Sequence, residues 1–425
     1  MRALVLGYGR SGKAAEALLK AQGVESVVLA DDERDRIKGE GFDFAVVSPG
    51  IALTHPWIVE AKRRGIPLKS ELQLGCEELK RQGWKLLAVT GSKGKSSVVK
   101  VVADAINLAG MRAVACGNYG TPVCEVAVED LRRETGDGAE RWAVVEVSSF
   151  MMETTDLPAD TFEAAAILNL QEDHLDRHGS VEVYHGLKRK LLTMAKVPLD
   201  FSKEKSRFDL WKHGKDKGSL YYLDSYFHNE ILVVNGEAAY QLMREVRPEL
   251  GIEALRRAFR EFEPLPHRMS LVAEIGGVRY IDDSKATSLA ALEAGVKMAG
   301  RGPLGLRRLL VRFGLPSWRR RVRLVAGGLP KGDDPKTVLS TLTERVKKVY
   351  LIGQSAEAFC AAWQGAVDCE ICGTMERAVE KARREAEKGE TVLLSPGTAS
   401  FDQFKSYGER GDVFARLVKG KGQPK

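Results

Sequence analysis

Two glycine-rich turns constrain the fold of this chain more than any other feature. Residues 3–6 form a short apolar run that leads into Gly7-Tyr8-Gly9-Arg10-Ser11-Gly12, and a helical pattern follows over residues 11–21. Residues 85–90 lead in the same way into Gly91-Ser92-Lys93-Gly94-Lys95-Ser96-Ser97, with a helix expected over residues 96–109. A strand, a tight glycine turn and a helix, in that order, open a parallel βαβ unit, and the turn aims backbone N–H groups at whatever anion sits on the helix N-terminus. Two such openings point to two parallel sheets and offer two places for an anionic ligand.

The first turn reads G-x-G-x-x-G, with Asp31 at the end of the next apolar run. That context fits a dinucleotide, whose ribose hydroxyl the acid would take. It fits another diphosphate, or a purely structural turn, equally well in kind. The second turn lacks the first glycine of the usual phosphate loop, because Val89 stands there. Lys95 can still neutralise β- and γ-phosphate charge and Ser96 can complete a Mg²⁺ shell, so ATP is the better reading.

The chain has 425 residues, and at roughly 150 residues per domain that implies about three domains. Further strands are expected at residues 26–29, 44–48, 142–147, 164–169, 278–281, 323–326, 348–352 and 391–395, with helical segments between them, and at residues 231–235. The boundaries fall at 1–83, 84–265 and 266–425. Residues 203–217 carry no period and read as a loop.

Composition closes off other classes. With 65 Lys and Arg against 58 Asp and Glu, the net charge of +7 suits small anionic substrates and gives no nucleic-acid signature. The longest apolar runs, such as residues 164–168, fall far short of the ~18 residues of a membrane span. Residues 1–7 run straight into a strand without the features of a signal peptide, so a cytoplasmic location is expected. The six cysteines are scattered, which argues for reduced thiols, and Cys369-Glu370-Ile371-Cys372 reads as a strand before it reads as a metal site.

Glu146 lies at the end of one expected strand and His174 just past another, where an open α/β sheet gathers its ligands. Singly, one is a surface acid and the other a helix cap. Together with the phosphate loop, a carboxylate and an imidazole suit Mg²⁺ that keeps some of its water.

Residues Thr90 to Ser97, Gly117-Asn118-Tyr119-Gly120-Thr121-Pro122, Glu146-Val147-Ser148-Ser149-Phe150, Asn169 to Asp176, Leu265-Pro266-His267-Arg268, Asp283-Ser284-Lys285-Ala286-Thr287 and Ser395 to Arg410 resemble, in order and over nearly the whole chain, the Mur ligase family. The likeness is greatest to the members that add D-glutamate to UDP-N-acetylmuramoyl-L-alanine in peptidoglycan precursor synthesis. It implies an α/β fold of three domains: a Rossmann-like N-terminal domain that holds the UDP-substrate, a central P-loop ATPase-like parallel sheet, and a C-terminal Rossmann-like domain.

By the same resemblance, Gly9, Ser11, Asp31, Ser48, Gly50 and Asn118 meet the UDP-substrate. ATP and two Mg²⁺ ions fall to Gly91, Gly94, Lys95, Ser96, Ser97, Glu146, His174 and Lys188, and Arg268, Asp283 and Lys331 meet the nucleotide or transferred phosphate. Lys188 matches a lysine that CO₂ carbamylates, which turns a cation into an anionic oxygen ligand; the plainer alternative is a solvated helix lysine. Lys285, Thr287, Ser400, Phe401 and Tyr407 match the D-glutamate pocket.

The sequence also departs from that pattern. The family's Leu-x-Gly-x-His-Asn-x-x-Asn segment is missing, with His228-Asn229 the nearest pair, and a basic insert at residues 301–321 is extra. The first departure predicts weak purine discrimination and leaves a non-catalytic or ATP-impaired UDP-sugar-binding relative as the alternative. The second is a solvated excursion or, less plainly, a basic surface for anionic lipid. A monomer is expected.

Overall fold

The computed structural model describes residues 1–30, 36–132, 140–202, 233–246, 251–299 and 321–420. Asp31, His228-Asn229, the polar stretch at 203–217 and the insert at 301–320 lie outside the described residues. The chain forms two compact units, Met1–Phe262 and Glu263–Lys425.

The first unit holds two parallel sheets. One has β1 (Arg2–Leu6), β2 (Glu25–Leu29), β3 (Phe44–Val47) and β4 (Leu68–Ser70) in the order β2-β1-β3-β4, with helices α1 (Arg10–Ala21), α2 (Pro56–Arg63) and α3 (Glu71–Arg81). Side chains alternate across β1: Ala3 and Val5 pack with α1 and α3, while Leu4 and Leu6 pack with Trp57 and Ile58 of α2.

The other sheet has β5 (Lys85–Thr90), β6 (Arg112–Gly117), β7 (Arg141–Glu146), β8 (Phe162–Ile167) and β9 (Ala195–Asp200) in the order β6-β7-β5-β8-β9. Its helices are α4 (Lys95–Leu108), α5 (Val123–Leu131), α6 (Ser149–Met152), α7 (Leu175–His178), α8 (Val181–Lys190), α9 (Val233–Val246) and α10 (Gly251–Glu261). β5 is central and buried on both faces, which is why it reads as an unbroken apolar run.

One hydrophobic core joins the two sheets through α1, α3 and α5, with Val5, Leu18, Leu79, Val123, Leu86 and Val145 among its members. Gly75 makes the approach of α3 to α5 possible, since a Cβ there would come within 2.7 Å of the Cys124 backbone nitrogen.

The second unit is one six-stranded sheet in the order β10-β11-β15-β12-β13-β14, built from β10 (Ser270–Ile275), β11 (Val278–Asp282), β12 (Val322–Gly327), β13 (Val346–Ile352), β14 (Asp368–Gly373) and β15 (Thr391–Leu394). Helices α11 (Leu289–Ala299), α12 (Leu339–Arg345), α13 (Ala356–Trp363), α14 (Met375–Glu385) and α15 (Tyr407–Lys419) cover its two faces with separate cores. Only β10 runs antiparallel to its neighbour, β11. The Gly276-Gly277 turn between them has φ of 60° and 75°, the left-handed pair that a two-residue hairpin needs.

The strand expected at residues 231–235 is corrected: Val233 opens α9 instead. Val234, Ala238, Ala239, Leu242, Met243 and Val246 recur at helical spacing, and all six are buried. No helix among the described residues is long and apolar enough to cross a membrane.

Candidate active site

The turn between β5 and α4 is the centre of the first unit's site. Gly94 caps α4 with φ of 89°, no side chain caps the helix, and its first turn holds no acidic residue, so the helix presents its positive end to the turn. Asn169, just past β8, pins the turn from the side: its Oδ1 accepts from the Lys93 N–H at 2.9 Å and its Nδ2 donates to the Lys93 carbonyl at 2.8 Å. Lys95 Nζ donates to the Gly91 and Ser92 carbonyls at 2.8 and 3.3 Å. These amides and cations make a cradle for a polyphosphate.

Lys188 comes to the same turn from α8. Its side chain is buried, Nζ donates to the Gly91 carbonyl at 2.9 Å, and the Tyr184 ring lies 4.7 Å away. Burial, then the charge of Lys95, pushes its ammonium down to about 7. The solvated-lysine reading therefore fails at this position.

Glu146 ends β7, is buried, and accepts from Asn118 Nδ2 through Oε1 at 2.8 Å. Its Oε2 is buried without a hydrogen-bond partner among the described residues, an arrangement that costs free energy until a cation or donor meets it. His174 precedes α7 in the left-handed region, with φ of 53°, and its side chain makes no capping hydrogen bond. His174 thus stands at the N-cap position of α7, as a cap reading expects, but does not cap through its ring, which is half-exposed, 4.9 Å from that of Phe150. Among the described residues no cluster of three or more His, Cys, Asp or Glu forms a ready-made metal cage. An ion held here by Glu146 with few other protein ligands is the manner of Mg²⁺.

The first glycine turn is tied to its neighbours by polar contacts. Ser48 Oγ donates to the Gly7 carbonyl at 2.8 Å, and Gly9 precedes α1, whose N-terminus no side chain caps. Arg177 of α7 reaches across to donate to the carbonyls of Ile51 and Pro49 at 2.7 and 3.2 Å while pairing with Glu153 at 2.7 Å. Arg10 donates to the Gly120 carbonyl at 2.8 Å. Ser11 is half-buried and Gly50 exposed, so the turn, residues 48–51 and residues 117–122 share one neighbourhood.

In the second unit most of the residues that the resemblance singles out lie past the carboxyl ends of β11, β15 and β12, with Arg268 before β10 and Tyr407 at the start of α15. Asp283 is buried and accepts from Met269 N and Ser395 Oγ at 3.3 and 3.0 Å; burial pushes its carboxyl up to about 7. Lys285 Nζ stands 3.9 Å over the Tyr407 ring. Ser400 is buried, Thr287 and Arg268 are half-buried, and Lys331 and Phe401 are exposed. Cys369 and Cys372 lie on β14 as free thiols, with burial raising that of Cys369 to about 12, which suits packing and not redox work.

Residues 89–199 match the Mur ligase middle domain and residues 267–397 the Mur ligase glutamate ligase domain. A UDP-N-acetylmuramoylalanine–D-glutamate ligase of Chlamydia caviae is 32% identical, the match covering 98% of this chain and 97% of that one. The ligase of the same name from Nitratidesulfovibrio vulgaris strain Hildenborough is 33% identical over 98% and 96%. The chain belongs to the Mur ligase family. Its fold agrees with solved Mur ligases of Thermotoga maritima: the UDP-N-acetylmuramate–alanine ligase, at TM-score 0.54, 15% identity and coverage of 97% and 98%, and a MurF ligase in complex with ADP, at 0.56, 15%, and 92% and 96%.

α9 lies between the two matched ranges and brings an asparagine to the phosphate turn. The Asn235 side chain of α9 is buried against the phosphate turn, its Oδ1 within 2.7 Å of where a Cβ on Gly94 would sit. The helical period of residues 234–246 is the signal that places it. The role of Arg177 is not legible in the sequence, and that of Asn169 goes unassigned there although it opens the segment Asn169 to Asp176, because both bond main-chain groups that no side-chain pattern records.

Proposed function

We propose that this Mur ligase joins D-glutamate to UDP-N-acetylmuramoyl-L-alanine, converting ATP to ADP and phosphate, in cytoplasmic peptidoglycan precursor synthesis. The observation that carries the reading is the convergence of Lys95, Lys188, Asn169 and Asn235 on one phosphate turn, in a chain about a third identical to D-glutamate-adding ligases over nearly its whole length. The reading assigns residues 1–83 to the UDP-substrate, 84–265 to ATP and 266–425 to the amino acid.

A bare carboxylate is a poor electrophile. Its oxygen attacks the γ-phosphorus of ATP and ADP leaves, giving an acyl phosphate. The amine of D-glutamate then attacks the acyl carbon, loses a proton, and phosphate departs as the amide forms. Gly91, Gly94, Lys95, Ser96 and Ser97 hold the triphosphate in this reading, and Lys95 offsets repulsion between it and the incoming carboxylate. Mg²⁺ would supply Lewis-acid charge stabilisation, and the orphan Oε2 of Glu146 fits it, with Ser96 and His174 as further ligands.

Lys188 suits carbamylation because its lowered basicity leaves part of the amine neutral near pH 7. The nitrogen lone pair adds to the carbon of CO₂, a proton is lost, and the resulting anion is an oxygen ligand beside Glu146. Gly9, Ser11, Asp31, Ser48, Gly50 and Asn118 are assigned to the UDP-substrate, Arg268, Asp283 and Lys331 to the nucleotide or transferred phosphate, and Lys285, Thr287, Ser400, Phe401 and Tyr407 to D-glutamate.

No observation favours the non-catalytic alternative. The deciding experiment measures ADP release with UDP-N-acetylmuramoyl-L-alanine and D-glutamate, L-lysine or meso-diaminopimelate in turn. D-glutamate alone supports turnover on this reading, and equal use of L-lysine would refute it.

A further inference from the structure

Arg410, near the start of α15, is fully buried, with none of its surface exposed. Its guanidinium spends its donors on two loops. Nε donates to Ser284 Oγ and Nη2 to the Ser284 carbonyl, both at 2.9 Å, while Nη2 and Nη1 donate to the Thr398 and Ala399 carbonyls at 3.2 and 3.1 Å. Ser284 Oγ passes the chain on to the Tyr407 carbonyl at 2.8 Å. A Cβ on Gly328, past the end of β12, would lie 3.2 Å from Nη1, so a third loop closes over the same group.

Every acceptor is neutral. The carboxylates of Asp402 and Asp282 attract the guanidinium from outside ion-pair distance, and burial lowers its basicity to about 10. An interior cation without an acidic partner is expensive, and neutral side chains can supply donors to carbonyls without that cost. The planar fork explains the geometry; the retained charge needs a separate reason. Ser284 immediately precedes Lys285, and Ala399 immediately precedes Ser400, so the two loops that Arg410 clamps are the two that carry the assigned amino-acid pocket.

We propose that Arg410 is a positioning residue for the amino-acid substrate: it locks the Ser284 and Thr398–Ala399 loops in one register, so that Lys285 and Ser400 face the same ligand, and its charge, which no carboxylate among the described residues meets by a hydrogen bond, favours a dianionic amino acid over a monoanionic one. The proposal rests on the D-glutamate reading above.

Steady-state kinetics of Arg410→Lys and Arg410→Gln test it, with thermal melting as a control. Lysine keeps the charge and loses the fork; glutamine loses the charge. Both raise KM for D-glutamate by about tenfold or more, glutamine further than lysine, while KM for ATP and for the UDP-substrate changes less than about twofold. Should both variants fail to fold, Ser284→Ala removes only the Nε acceptor and raises the same KM by a smaller factor. An unchanged KM for D-glutamate in any folded variant overturns the proposal, as does an equal rise for all three substrates, the mark of general loosening. A wild-type enzyme that uses another amino acid and not D-glutamate overturns the substrate reading first, and this proposal with it.

Discussion

Lys188 Nζ and the Gly91 carbonyl oxygen lie 2.9 Å apart, which fixes a buried amine of α8 beside the turn that precedes α4. Among the described residues no carboxylate hydrogen-bonds that amine; one carbonyl and the Tyr184 ring touch its cationic form, and Asp173 and Glu146 favour it only from a distance. That is a poor site for an ammonium and a good one for an amine awaiting modification.

Lys188→Ala is therefore expected to lose turnover by roughly ten- to a hundredfold, the scale of removing a group that orients a metal site. A short carboxylic acid added to the assay should restore part of it by occupying the vacated oxygen-ligand position. Wild-type rates for Lys188→Ala in CO₂-depleted buffer would sink the carbamate. Stability gives a second readout. The folded value is about 7 against 10.5 unfolded, so the unfolded chain binds the extra proton between these values and stability of the first unit rises with pH across about 7 to 10.5. Urea titrations of Lys188→Met should show that rise diminished.

Glu146→Gln keeps an acceptor for Asn118 and removes the negative charge. Turnover should fall by roughly a hundredfold and the Mg²⁺ concentration for half-maximal rate should rise, while the UDP-substrate still binds. Calorimetry with that substrate separates the effects. Lost substrate binding with unchanged Mg²⁺ dependence would place Glu146 on the substrate and not on the metal.

Glu71 opens α3 and accepts from the Cys124 N–H at 2.7 Å, so a carboxylate from one sheet caps α5 of the other. Burial pushes its carboxyl up to about 7 from an unfolded 4.5. Between those values the folded chain holds a proton that the unfolded chain has lost, and stability falls as pH rises from about 4.5 to 7. Glu71→Gln should flatten that fall, and Glu71→Ala should cost about 1–3 kcal/mol by stranding the α5 donors. A urea midpoint with the wild-type pH dependence in Glu71→Gln would show that the carboxyl stays ionised.

The two glycine turns, the central strands and the first residues of α1 and α4 were legible because each rests on local pattern: an apolar run, glycines, then a helical period. β4, β6, β9 and β10 were not. β4 has three residues, β6 and β9 carry charged or half-exposed positions that blur alternation, and β10 depends on a diglycine turn flanked by mixed polarity. The site divides in the same way. Lys95, Glu146 and Lys188 carry roles that their residue types suggest, whereas Arg177, Asn169 and Arg410 act largely through hydrogen bonds to main-chain carbonyls and amides, which only the folded path brings near them.

The contact of Gly94 with Asn235 yields the last prediction. Gly94 has φ of 89°, where a Cβ is strained by roughly 1–2 kcal/mol whatever surrounds it, and here the Asn235 amide also fills the space a Cβ would need. Gly94→Ala must then displace either the first turn of α4 or the amide, and ATP binding should weaken by well over about tenfold. Asn235→Ala vacates the space, so in the double variant the steric part of the penalty is returned while the φ strain stays. A double-mutant cycle on ATP affinity measured by calorimetry should therefore show recovery of part, and only part, of the loss in Gly94→Ala, provided that Asn235→Ala alone costs less than Gly94→Ala. Tripolyphosphate run through the same cycle separates the turn from the purine: equal coupling for both ligands places Asn235 as a wall of the phosphate turn, and coupling seen with ATP but not with tripolyphosphate places it on the nucleoside. Strict additivity with both ligands would mean that the two residues do not meet in solution as they do in this fold.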